Sequence, residues 1–214
     1  MSARGFRRAG ALSLAAALVG WSFVSPQMPA PWRAVLQAGL GGLLALITRA
    51  PLGLGPPRLW AGLRLGSPIA FLAAGTVAAT TQLPPVRRSM GDREPPAAPP
   101  DWLLLRIPVG TVWSEEAAFR GALAGAGSAA FGERGGRLLQ ASAFGLSHIA
   151  DARATGEPVA ATVLVTGIAG WVFGWLADRS ESLAAPMLAH LAVNEAGAIA
   201  VLAVRSSKRG VLRR

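Results

Sequence analysis

Pro158-VAATVLVTGIAGWVFGWL-Ala177 runs for twenty residues without a charge. That is the length an α-helix needs to cross the hydrocarbon core of a bilayer. Similar texture recurs on both sides of it. No charge falls between Arg8 and Arg33, and the apolar core there runs from Ala9 to about Val24. Further spans are expected at about Ala34 to Thr48, Leu65 to Thr81 and Leu183 to Val204. Over 214 residues the chain is 52% hydrophobic and 15% charged, and its mean hydropathy is +0.42. Soluble domains carry about 25% charged residues. The chain reads as one integral membrane domain, because the apolar stretches leave no room for a separate soluble one.

The net charge of +10 brings nucleic acid to mind, but the placement of the charges argues against it. Arg4, Arg7 and Arg8 sit at one end of the chain. Arg205, Lys208, Arg209, Arg213 and Arg214 sit at the other. Most other cations punctuate the gaps between apolar runs, where Lys and Arg set orientation and contact anionic lipid. The expected partners are therefore the bilayer and a membrane-associated peptide or protein, with no nucleic acid. The expected location is a bacterial plasma membrane. The absence of cysteine excludes disulfides, thiolate metal sites and cysteine nucleophiles. With no tyrosine, the seven tryptophans must supply any interfacial aromatic belt.

Four segments follow: N-terminal transmembrane helices over 1–81, a Pro-rich loop over 82–100, a core over 101–204 and a basic tail over 205–214. The first span reads as a retained anchor, since no small-x-small cleavage site follows it. Six prolines between residues 84 and 100 argue against a regular helix in the loop. In the core, Asp101 is a plausible N-cap for a helix to about Gly127. A second core helix runs over about Gly136 to Ala150, followed by the 158–177 span. The last helix carries Pro186 in its first turn, where proline is tolerated. GxxxG spacing at Gly121/Gly125 and at Gly170/Gly174 would allow close helix approach. About seven spans put the termini on opposite sides, whereas two basic ends favour the same side. Either one segment, with 136–150 the first suspect, is re-entrant, or one basic end lies outside.

Three polar clusters interrupt the apolar core segments. Ionisable groups cost roughly 2.5–3.5 kcal/mol or more at a bilayer centre and are kept there mainly for function. Glu116 and Arg120 stand four apart, carboxylate first, in the better order for a helical ion pair. Glu115 lies about 100° further around the helix and escapes that pairing. It suits a general base for water, although a structural ion-pair network is the plainer reading. Phe144 and His148 share one helix face, which a hydrogen-bonded core histidine would also explain. His190 and Asn194 share another. An imidazole beside an amide can bind a metal, orient water or donate to an oxyanion, or simply bond between helices. Glu195 lies off that face, as a lid or interface residue.

The ordered set Glu115-Glu116-x-x-x-Arg120, Phe144-x-x-x-His148 and His190-x-x-x-Asn194 resembles the CAAX-protease and bacteriocin-processing (CPBP, or Abi) family of intramembrane metalloproteases. The likeness covers residues 101–204. It implies an all-α polytopic bundle of about seven helices around an intramembrane polar cavity. It also implies an endopeptidase in which Glu115 activates water beside His148. His190 and Asn194 would complete the site and Arg120 would hold Glu116. Zinc accepts two histidines and a carboxylate, which makes Glu115, His148 and His190 a candidate metal set. Asparagine is a poor zinc ligand, and a metal-free, glutamate-activated water fits the same residues. Two other readings stay open: a noncatalytic immunity or scaffold protein of the same fold, and a proton-coupled carrier.

Overall fold

A computed structural model describes residues 2–212, which are mostly helical and contain no strand. Arg213 and Arg214, part of the expected basic tail, lie outside the described residues. Helix α1 spans Ala3–Val24, α2 Ala30–Ile47, α3 Arg58–Thr80 and α4 Pro84–Asp92. Helix α5 covers residues 99–131 and α6 residues 133–147. Then come α7 (Ile149–Thr155), α8 (Val159–Ser180) and α9 (Ala184–Leu212).

Four stretches are long and apolar enough to cross a membrane: Ala3–Gln27, Arg58–Thr80, Val159–Ser180 and Ala184–Ser207. The apolar part of α2, Trp32–Ile47, is shorter. The bundle is apolar outside as well as inside; Phe71 is 80% exposed and Leu46 75%. A water-soluble fold would bury such side chains, whereas lipid solvates them. The chain is an integral membrane protein.

Seven helices traverse the bundle: α1, α2, α3, α5, α6, α8 and α9. At one end meet the start of α1, the α5–α6 turn, the loop 49–57 and the α8–α9 turn. Arg8 lies 5.7 Å from the Phe131 ring there. Ion pairs Arg137–Asp178 (2.6 Å) and Arg58–Glu181 (3.1 Å) close the same end. At the opposite end Arg93 pairs with Glu157 at 2.8 Å, and Arg205 donates to the Arg93 carbonyl at 2.7 Å. The two basic ends of the chain thus lie at opposite ends of the bundle. Helix α6 packs antiparallel along α8, with Gly174 against Arg137 and Gln140, and Gly145 against Val163 and Gly167. It stops at His148, whose backbone leaves the helical region (φ −89°, ψ 2°).

The 82–100 segment also departs from expectation. Pro84 and Pro85 occupy the first turn of α4, where no amide donor is required, so a helix forms despite them. Asp101 does not cap α5: the helix begins at Pro99 and Asp101 is already helical. Helix α5 continues past Gly127 until Gly132 (φ +79°) turns the chain into α6.

Small residues set the helix spacings. On α8, Gly170 faces Ala141 and Phe144, and Gly174 faces Gln140, so this GxxxG pair does bring α6 and α8 together. The α5 pair does not act as a unit, because a side chain at Gly125 would meet nothing. A third pair at the same spacing, Gly62 and Gly66, seats α3 on Ala184 and Ala185 of α9. Gly53 (φ +61°) is held where any β-carbon would overlap the Glu181 carbonyl. There Ser182 donates to the Gly53 carbonyl at 2.7 Å, tying the 49–57 loop to the start of α9.

Three apolar clusters fill the interior. One joins α1, α5 and α6 through Ala15, Phe119, Leu123 and Phe144. Another joins α3, α8 and α9 through Ile69, Phe173, Leu176 and Ala189. The third joins α5 and α9 through Ile107, Val112 and Ala198. The polar clusters sit where these meet.

Candidate active site

Glu115 lies between two stretches of α5 wound with π-type turns, Trp102–Trp113 and Glu116–Leu123, and Glu116 opens the second. Such turns are frequent at functional sites. The helical spacing then acts as expected: Arg120 Nη1 donates to Glu116 Oε1 at 3.2 Å, and both side chains are 0% exposed. Arg120 is also caged by aromatic rings. Its guanidinium carbon is 4.0 Å from the Phe144 centroid, 5.1 Å from that of Phe173 and 6.0 Å from that of Phe119. Ring faces are electron-rich, so they stabilise a cation that water cannot reach.

His190, on the second turn of α9, joins this pair from across the bundle. Its Nδ1 is 2.8 Å from Glu116 Oε1. A carboxylate oxygen accepts, so Nδ1 carries a proton and donates it to Glu116, while Nε2 faces Glu115. That Nε2 is 3.8 Å from Glu115 Oε2, too far for a direct hydrogen bond. Phe173 stacks on the imidazole with centroids 5.1 Å apart, fixing the ring plane. The series Arg120–Glu116–His190–Glu115 therefore links two helices and runs from fully buried groups to a partly exposed carboxylate that has no hydrogen-bonded partner at Oε2.

His148 is oriented differently. Its Nδ1 lies 2.7 Å from the Phe144 carbonyl and donates to it. Its ring meets Phe144 edge-on at 4.7 Å. Phe144 also meets His190 edge-on at 5.9 Å, so the two imidazoles share one aromatic wall. The residue expected beside Glu115 was His148; the side chain found 3.8 Å from it is His190. Asn194, one turn beyond His190, has its Nδ2 buried without a protein partner, as does Oε1 of Glu195.

The candidate metal set is not assembled. Among the described residues no three His, Asp or Glu side chains converge as ligands. His190 Nδ1 is taken by Glu116, and His148 Nδ1 is turned back onto its own helix. Both Nδ1 atoms are thus engaged, which leaves the two Nε2 atoms as the ring nitrogens open to a ligand, and no step below is routed through a metal.

Phe119, Phe173 and Gln140 belong to the site but not to the expected residue set. Gln140 is fully buried on α6 and donates to the Gly170 carbonyl of α8 at 2.9 Å. With Arg120 it lines a small polar gap that continues to Arg137 and Asp178 at the bundle end. Its Oε1, and Nε and Nη2 of Arg120, have no protein partner. A glutamine amid alanines and glycines is the one signal that could have marked it. Phe173 lies in an uncharged span with nothing to distinguish it.

All seven motif residues fall within residues 98–196, which match a family model described as type II CAAX prenyl endopeptidase Rce1-like. Residues 98–196 are an Rce1-like domain. The match agrees with the CPBP resemblance read from the three motifs, and the family is a protease family. No curated protein and no solved structure matches the chain. The Rce1-like domain takes in α5 to α8 and the first half of α9, while α1, α2 and α3 pack around it.

Proposed function

We propose that the chain is an intramembrane endopeptidase that hydrolyses a peptide bond of a membrane-associated protein or peptide. The observation that carries this reading is the position of His190 between two carboxylates, 2.8 Å from one and 3.8 Å from the other. Arg120 neutralises Glu116, and Glu116 accepts from Nδ1 of His190. The imidazole then presents Nε2 towards Glu115. A water about 2.8 Å from both Nε2 and the Glu115 carboxylate is held by both and loses a proton to Glu115 as it attacks.

In the attack, the water oxygen bonds to the carbonyl carbon and the carbonyl becomes an oxyanion. Asn194 Nδ2, a buried donor with no protein partner, suits that oxyanion. Glu115 returns its proton to the amide nitrogen, and the carbon–nitrogen bond breaks. His148 is the second imidazole along the Phe144 wall.

The test uses purified protein in liposomes with membrane-anchored peptides, products being read by mass spectrometry. Wild type is expected to generate new termini, incorporating one heavy oxygen from labelled water, and Glu115→Ala to generate none. Folded wild-type protein that cleaves no anchored peptide would point to a noncatalytic scaffold. Solute uptake without cleavage would point to a carrier.

A further inference from the structure

A cavity of about 450 Å³ opens between the start of α1 and the α5–α6 turn, at the bundle end away from α4. It is lined by Arg4, Arg7 and Arg8 on one side and by Ala129 to Gly132 on the other. Its volume falls in the range of roughly 300–1,000 Å³ usual for small-ligand sites. The three arginines stand at i, i+3 and i+4, so one helix face carries all three charges. Like charges at that spacing repel. Among the described residues no carboxylate forms an ion pair with any of them, whereas Arg58, Arg93, Arg120 and Arg137 each have one. Arg8 lies over the Phe131 ring, which positions one guanidinium at the cavity wall.

We infer that this cavity binds the phosphate-bearing headgroup of an acidic phospholipid. Guanidinium forks match phosphate oxygens bidentately, and an anion among the three relieves their mutual repulsion. Phosphate is the shared chemistry of a lipid headgroup and a free ion; the surroundings favour the lipid. The cavity lies at one end of a bundle whose outer surface is apolar, beside the start of a stretch long and apolar enough to cross a membrane, Ala3–Gln27. Phe6 on the same helix end is 74% exposed and Leu12, further along α1, is 53% exposed, giving acyl chains an apolar surface below the charges. The Gly132 turn (φ +79°) leaves the opposite wall without a side chain at that position. Basic pockets between transmembrane helices bind acidic headgroups in the same way.

The experiment uses the full chain in neutral detergent. Retained lipid is counted by native mass spectrometry and thermal stability is followed as phosphatidylglycerol, phosphatidylcholine or inorganic phosphate is added. Wild type should retain phosphatidylglycerol, be stabilised by it, and ignore phosphatidylcholine. Each arginine near an anionic surface contributes roughly fivefold, so Arg4→Gln/Arg7→Gln/Arg8→Gln should weaken retention on the order of 100-fold. Arg87→Gln/Arg88→Gln, on α4 at the other bundle end, should leave it unchanged. Equal effects of the two lipids on wild type would overturn the inference, whether or not the triple variant folds. So would equal loss in the α4 variant, or stabilisation by inorganic phosphate matching that by phosphatidylglycerol.

Discussion

Arg120→Ala removes the guanidinium paired with Glu116 and leaves that carboxylate buried at 0% exposure. Breaking a buried ion pair from one side costs about 3–5 kcal/mol. Loss of the ring contacts, the nearest at 4.0 Å from Phe144, adds roughly 0.5–2 kcal/mol. An opposing effect comes from Nε and Nη2 of Arg120, which have no protein partner. Deleting buried, unpaired donors relieves about 1–3 kcal/mol. The expected net is about 3 kcal/mol, a hundredfold in the folded-to-unfolded ratio. The double variant Glu116→Leu/Arg120→Met buries no charge. Its residual cost is the stranded Nδ1–H of His190, about 1–3 kcal/mol, so it should be no less stable than Arg120→Ala. Reversible unfolding in mixed micelles, followed by tryptophan fluorescence, measures all three proteins. A loss below about 1 kcal/mol in Arg120→Ala, or a double variant clearly weaker than the single, would refute the ion-pair argument.

Asn194→Ala should slow turnover by about 2.7–4 kcal/mol of barrier, as for loss of one oxyanion donor. It should leave the unfolding midpoint unchanged, since Nδ2 holds no protein group; a normal rate would remove Asn194 from that role. Gly145→Ala would drive a β-carbon to 2.6 Å from the Val163 carbonyl. Spreading α6 from α8 should cost about 1–3 kcal/mol, and an unchanged midpoint in the same assay would contradict the close approach. Peptidase activity should survive exhaustive chelation, because Glu115, His148 and His190 do not converge as ligands. Activity lost to chelator and restored by zinc would show that the site rearranges around a metal.

What the sequence could reveal was what lies within one helix. Glu116 and Arg120 are four residues apart, so their ion pair follows from helical geometry, and the structure contains it at 3.2 Å. The apolar runs likewise marked most of the traversing helices, because lipid demands them. Contacts between helices were not readable. Glu115 and His190 are 75 positions apart, and no local pattern says that His190 rather than His148 reaches the carboxylate. Phe173 stacks on His190 from a span where every neighbour is apolar, so composition hides it. The helix at Pro84–Asp92 is masked by its proline content, because only the position of Pro84 and Pro85 in the first turn makes them compatible with a helix.

The central claim is that Glu115 and His190 act together on one water, and a double-mutant cycle on cleavage rate tests it most directly. Glu115→Gln and His190→Ala should each lower kcat by on the order of 10²–10⁴. Their combination should be no slower than the worse single variant, because groups that act as a unit are lost together. Losses that multiply in the double variant would mean that the two side chains work independently and would contradict the account.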